Sequence, residues 1–155
     1  MEWTFNEEEE KLLHNLSTIV LGKWLDDDLL ALYGSWILDR PLAALYYKVD
    51  KLLGHVESPN NDFDKLKLFM HEGHDTQLKI LTKFLKPSNL DNIQTYYATQ
   101  LVFELLYSEE CIRSTEKSDK CFAVQILLNG EPLEFEGACR DPKLCTYTEF
   151  RAYID

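Results

Sequence analysis

A chain of 155 residues fits one domain, and 45% hydrophobic with 12% aromatic residues supplies enough apolar material for a core, which excludes global disorder. A formal net charge of -11 excludes a basic groove for nucleic acid and works against long-range attraction of phosphorylated substrates. No apolar run reaches the length of a transmembrane helix, and Met1-Glu2-Trp3 followed by acidic residues does not make a signal peptide.

The chain order begins with Asn6-Glu7-Glu8-Glu9-Glu10, where Asn6 and Glu9 have capping-box spacing and the acidic run suits the positive end of a helix. Leu12, Leu13, Leu16, Ile19 and Val20 fall on one helical face, with His14 as a surface or packed histidine among them. Asn15-Leu16-Ser17 is a formal glycosylation sequon inside this predicted helix, a frequent false positive, and Gly22 is the expected stop. Asp26-Asp27-Asp28 reads as a cap and solvated turn. It lacks the alternating oxygen ligands and turn glycine of a calcium loop. Gly34 to Leu53 predicts another helix, with Trp36, Ile37, Leu45, Tyr46, Val49, Leu52 and Leu53 mostly inward. Pro41 either starts that helix or kinks it. Gly54 to Asp64, with Ser58-Pro59-Asn60-Asn61, is a loop.

Lys65–Phe84 predicts a strand (Leu66, Leu68, Met70), a tight turn (Glu72-Gly73-His74-Asp75) and an amphipathic helix (Leu78, Ile80, Leu81, Phe84, Leu85). Gly73 permits a sharp turn without a Cβ clash, and Asp75 or Thr76 is placed to cap the helix. A His and an Asp therefore sit together where ligand sites of α/β proteins tend to lie. Read from the residues alone they are a turn residue and a helix cap. Metal binding by His71, His74 and Asp75 is disfavoured, because Gly73 and the predicted strand end break up a helical ligand face and His-Glu-Gly-His is not the zincin spacing.

Lys86-Pro87-Ser88-Asn89 ends the helix. Thr99, Leu101, Phe103 and Leu105 alternate with a partly apolar second set, Gln100, Val102, Glu104 and Leu106, so this strand is expected to be covered on both faces. Phe122–Leu128 and Glu131–Phe135 predict strands joined at Asn129-Gly130, a hairpin dipeptide. Cys111, Cys121, Cys139 and Cys145 allow three pairings. Four free thiols are the next reading. Zinc is the last, because intervals of nine and five residues do not resemble Cys-x-x-Cys knuckles.

A family resemblance runs through these elements. The apolar run, Gly73-His74-Asp75-Thr76 and the helix after it resemble the second signature of the histidine acid phosphatases. Tyr97-Ala98-Thr99-Gln100-Leu101-Val102-Phe103-Glu104-Leu105 is similar to the family's Tyr-Ala-Ser-x-Leu-x-Phe-Glu-Leu strand. Phe122 to Leu128, then Gly137-Ala138-Cys139 through Cys145 to Phe150, resembles its closing hairpin and small disulfide loop, and the likeness spans most of residues 5–153. The family's Pro-Pro before the strand is replaced by Thr95-Tyr96, a departure that bears on the adjacent loop. The first signature, Arg-His-Gly-x-Arg-x-Pro, is missing: Arg40, Arg113, Arg140 and Arg151 are not followed by His. The chain thus resembles roughly the C-terminal half of the enzyme, without its nucleophile.

What the resemblance implies can be stated residue by residue. The fold would be α/β, a single domain over residues 1–155 resembling part of a phosphoglycerate-mutase-like (histidine phosphatase) domain, with N-terminal helices followed by β-α-β-β. Cys139 would pair with Cys145 and Cys111 with Cys121. In the family a His attacks phosphorus to form a phosphohistidine, which water hydrolyses. His74 corresponds to the His that donates a hydrogen bond to a phosphate oxygen, and Asp75 to the proton donor of the leaving group. An alkoxide leaves poorly, so proton delivery contributes about 10²–10⁴-fold, and fixed donors must neutralise the equatorial oxygens. No cofactor or metal is implied. The compartment would be secretory, lysosomal or extracellular, with the signal on a part not included in this chain. A phosphate monoester would be a substrate only after completion by an N-terminal half, and the isolated chain is expected to be inactive. The alternative is a non-catalytic phosphatase-like subunit of a larger assembly. In either case another chain or self-association is expected to cover an exposed sheet edge.

Overall fold

The computed structural model describes residues 6–12, 16, 27–56, 62–90 and 95–154. Helix begins at residue 7, and the capping box forms as the spacing predicts. Asn6 Oδ1 accepts from the Glu8 and Glu9 amides at 3.0 Å, and Glu9 Oε2 accepts from the Asn6 amide at 2.9 Å. Leu12 and Leu16 of the predicted apolar face are exposed. Leu13, Ile19 and Val20 of that face, His14, the Asn15 sequon, the Gly22 stop and the Ser58–Asn61 turn lie outside the described residues.

Helix α1, Asp27–Leu53, is one continuous element of 27 residues, roughly 40 Å long at the usual rise. The sequence predicted its main part to start only at Gly34. Pro41 lies in the interior, where it removes one amide donor and crowds the preceding turn at a cost of about 3 kcal/mol. Packing on both sides of it offsets that cost: Ile37, Leu38, Leu45, Val49 and Leu53 are buried. Trp36, expected inward, is 71% exposed, and Leu29, Leu32 and Tyr33 share its exposed side. Gly34 permits close approach. A Cβ there would lie 2.8 Å from Phe84 Cγ, inside contact distance, so the missing side chain is what seats the Phe84 ring.

Helix α2, Asp75–Leu85, stops at Lys86, which takes the left-handed conformation (φ 44°) and donates its amide to Thr82 O before Pro87. Strand β1 is Leu101–Tyr107, followed by the short helix α3, Glu109–Arg113, and a 3₁₀ turn at Asp119–Cys121. Strand β2, Phe122–Leu128, pairs antiparallel with β1 along its whole length, from Leu101 opposite Leu128 to Tyr107 opposite Phe122. Strand β3, Glu131–Pro132, returns through Asn129-Gly130, both at positive φ (52° and 87°), as a two-residue hairpin of that dipeptide requires. The strand predicted over Glu131–Phe135 is shorter than expected: the Leu133 amide still donates to Ile126 O of β2, but the Phe135 amide donates instead to Pro142 O. Strand β4, Cys145–Thr146, joins β2 at Ala123 and Val124, and helix α4, Tyr147–Ile154, closes the described chain. The architecture is mixed helix and antiparallel sheet.

The predicted strand over Leu66, Leu68 and Met70 is absent. Residues 66–74 are extended or irregular and pair with no strand among the described residues, and Leu68 and Met70 are 75% and 84% exposed. Alternation alone does not make a strand; a ladder partner must accept its amides. One side of β1 is taken by β2, and no strand among the described residues pairs with the other.

Two buried clusters hold the rest, a small one of Ile37 and Leu38 on α1 with Leu81 on α2, and a larger one on the sheet. Phe122, Val124 and Ile126 on β2 are buried with Leu45, Val49 and Leu53 of α1, Leu85 of α2, and Tyr147 and Phe150 of α4. Burying each large apolar side chain contributes about 1.5–3 kcal/mol. Edge-to-face ring pairs add orientation: Tyr147 meets Tyr46 at 6.0 Å and Phe122 at 6.3 Å, and Phe103 meets Phe150 at 6.4 Å. On the second face of β1, Val102 and Glu104 are only half-buried and Leu106 is exposed, so the expected two-sided cover is incomplete. Disulfides join Cys111 to Cys121 and Cys139 to Cys145, with Cα–Cα distances of 5.4 and 5.0 Å, which sets aside free thiols and zinc. Such bonds persist in oxidising environments. No helix among the described residues is long and apolar enough to cross a membrane.

A second capping box, between Thr146 and Glu149, was legible as Thr-x-x-Glu but not predicted. Glu149 Oε2 accepts from the Thr146 amide (2.9 Å) and hydroxyl (2.8 Å), and Oε1 accepts from the Arg140 amide at 3.2 Å. The two Thr146 hydrogen bonds chiefly, and then the Arg140 amide and guanidinium charge, hold the Glu149 carboxyl below its ordinary value of 4.5. A depressed carboxyl stabilises the fold above its unfolded pKa and loses that contribution as pH falls through the folded one. Glu149→Gln should therefore lower stability by about 1 kcal/mol near neutral pH and by much less in acid, as read from thermal melts at both pH values. Gly34→Val should cost about 1–3 kcal/mol by overpacking. In a Phe84→Ala background, denaturant titration should find that penalty largely gone.

Candidate functional site

The His-Asp pair is placed by the start of α2. His74 is the N-cap residue, with extended backbone (φ -85°, ψ 162°), and Asp75 is the first helical residue. The cap thus falls one residue earlier than predicted. Gln77 makes this possible: its Oε1 accepts from the His74 amide at 2.9 Å, while its own amide donates to His74 O at 3.0 Å. Gly73 leaves room for that side chain. A Cβ at Gly73 would sit 2.1 Å from Gln77 Oε1. The glycine acts through space rather than left-handed backbone, since it is not among the positive-φ residues Gly54, Gly130 and Gly137.

His74 and Asp75 both face solvent, as do His71 and Glu72. Asp75 Oδ2 lies 3.3 Å from Lys79 Nζ one turn on; the lysine side chain is 9% exposed and the carboxylate side chain 56%. A largely covered ammonium thus sits under an open carboxylate. The helix start adds unpaired amides and the positive end of the peptide dipoles, which favour negative charge nearby. The pair can offer an imidazole hydrogen bond and a carboxyl proton or acceptor to a molecule approaching from solvent.

Other sequence-predicted residues lie elsewhere. Cys111–Cys121 closes the turn between β1 and β2, and Cys139–Cys145 closes the loop before α4. Arg113 is paired with Glu109 at 2.9 Å, and the Arg151 guanidinium stacks 5.0 Å from the centre of the Tyr46 ring. No group of three His, Cys, Asp or Glu side chains is placed to hold a metal among the described residues.

The approach to the pair is anchored by residues that periodicity did not single out. Asp64 Oδ1 accepts from Tyr47 Oη at 2.6 Å and from Lys51 Nζ, and Lys48 Nζ donates to Asp64 O at 2.8 Å. The Asp64 hydrogen bond, with burial and the nearby negative charge, pushes the Tyr47 phenol up to about 12. Three side chains of α1 thereby grip the chain ten residues before His74. The only sequence signal was their spacing on one helix face, which core packing explains equally well.

The chain matches no protein-family model, no curated protein and no solved structure.

Gly73→Ala should displace Gln77 and cost about 1 kcal/mol, the scale of a lost cap. Gln77→Ala should then add little more, and denaturant midpoints of the two single variants and the double variant measure that overlap.

Proposed function

We propose that this chain is the proton-donating half of a histidine acid phosphatase-like domain, one that hydrolyses phosphate monoesters through a phosphohistidine only when an N-terminal half supplies the nucleophile. The observation that carries the reading is Gly73-His74-Asp75 opening an apolar helix at the surface, followed in order by β1, β2 and the closed Cys139–Cys145 loop. In this reading His74 donates to a phosphate oxygen and Asp75 protonates the departing alkoxide. The fold is then part of a phosphoglycerate-mutase-like domain. The exposed Leu68, Phe69 and Met70, together with the side of β1 not used by β2, become the surface another chain covers. The disulfides fit a secretory, lysosomal or extracellular setting.

A second reading is favoured by the ion pair between Asp75 and Lys79. A carboxylate occupied by a lysine in its own helix suits a structural role, and the domain would then be a non-catalytic interaction subunit. The two readings part on chemistry. Alone, the chain should hydrolyse p-nitrophenyl phosphate at acid pH no faster than background, and Asp75→Asn should change nothing. Completed with an N-terminal half bearing Arg-His-Gly-x-Arg-x-Pro, it should turn over, and Asp75→Asn should slow the reaction by about 10²–10⁴-fold, most for poor leaving groups. A phosphorylated histidine on the 155-residue chain by itself would overturn the division of labour. A completed protein with no turnover would favour the interaction subunit.

A further inference from the structure

The C-terminal end of α1 is capped in two layers. Gly54 (φ 83°) donates its amide to Lys51 O at 3.1 Å, and His55 donates to Asp50 O at 2.9 Å, a Schellman arrangement that satisfies two of the last carbonyls. The next carbonyl, Leu52 O, accepts from Lys117 Nζ at 3.0 Å, across 65 residues of sequence. Lys117 brings a cation to the negative end of the helix dipole as well as a hydrogen bond. It rides on the loop between Cys111 and Cys121, and that disulfide fixes where the loop can place it. The turn being capped carries Lys51, one of the side chains that grip Asp64 and so anchor the approach to His74.

We propose that the Cys111–Cys121 disulfide is a redox-operated latch on α1: while closed, it holds Lys117 on the helix end, and when opened it releases that cap and loosens the Lys51–Asp64 anchor. The opening step is a two-electron thiol–disulfide exchange. A dithiol reductant gives up two electrons and two protons and closes to its own disulfide, and Cys111 and Cys121 become thiols. The latch is local. Cys121 and Phe122 stay packed on Val49 and Tyr147 in the core, and Cys139–Cys145 is a separate bond.

Amide hydrogen exchange on the 155-residue chain tests this, read at Gly54, His55 and Leu66, whose amide donates to Phe63 O within the gripped turn. Lys117→Met in the oxidised protein should speed exchange at these amides by about five- to tenfold, leaving β1 and β2 protected, and Lys117→Arg should restore most of the protection. Cys111→Ser combined with Cys121→Ser, or dithiol treatment under which mass spectrometry finds only Cys111–Cys121 opened, should give the same local pattern. Adding Lys117→Met to the opened protein should give no further increase. Unchanged exchange in Lys117→Met overturns the proposal, whether or not the cysteine variant folds. So do increments that simply add, or a protein opened at Cys111–Cys121 alone that loses protection throughout the sheet.

Discussion

The antiparallel ladder of β1 and β2 is what every other part of this structure leans on. Seven residue pairs in register put Phe122, Val124 and Ile126 on one face. Each helix with a defined apolar side then finds that face: α1 through Leu45, Val49 and Leu53, α2 through Leu85, and α4 through Tyr147 and Phe150. Shifting the register by one residue would turn those three side chains away from the helices and bring Ala123, Gln125 and Leu127 in their place. Both disulfides meet β2: Cys121 immediately precedes it and Cys145 pairs with its Val124.

Local chemistry was the legible part of the sequence. Asn6 with Glu9, Asn129-Gly130 and Lys86-Pro87 each specify a conformation through one or two hydrogen bonds or one dihedral, and each formed as read. The pairing of the cysteines came from resemblance, because spacing left three arrangements open. What was not legible depended on partners far away in sequence. Leu66, Leu68 and Met70 alternate as a strand does, but alternation is silent about whether a neighbouring ladder exists. Trp36 fits an inward helical position by type, yet it lies with Leu29, Leu32 and Tyr33 on the exposed side of α1, while its neighbours Ile37 and Leu38 take the buried side against Leu81. Gly34 looks like a helix break, and becomes a packing notch only once Phe84 is known to lie against it. The Asp64 anchor fails the same test, since its three partners are drawn from a helix thirteen or more residues away.

At the candidate site the sequence supplied the residues and the structure supplied the reason for their order. Gly73, His74 and Gln77 form one capping unit in which the glycine makes room, the histidine backbone donates and the glutamine accepts. Any polar residue could have followed that cap. Asp75 itself suits the first turn, where the helix dipole favours negative charge, and its ion pair with Lys79 holds it there.

Tyr153 in α4 sends its hydroxyl to the carbonyl of Leu85, the last residue of α2. The final helix of the described chain thus fastens the far end of the helix that begins at His74. An affinity tag or fusion partner appended after residue 155 would hang from that fastening, so its influence would travel down α2 to the exposed histidine and aspartate.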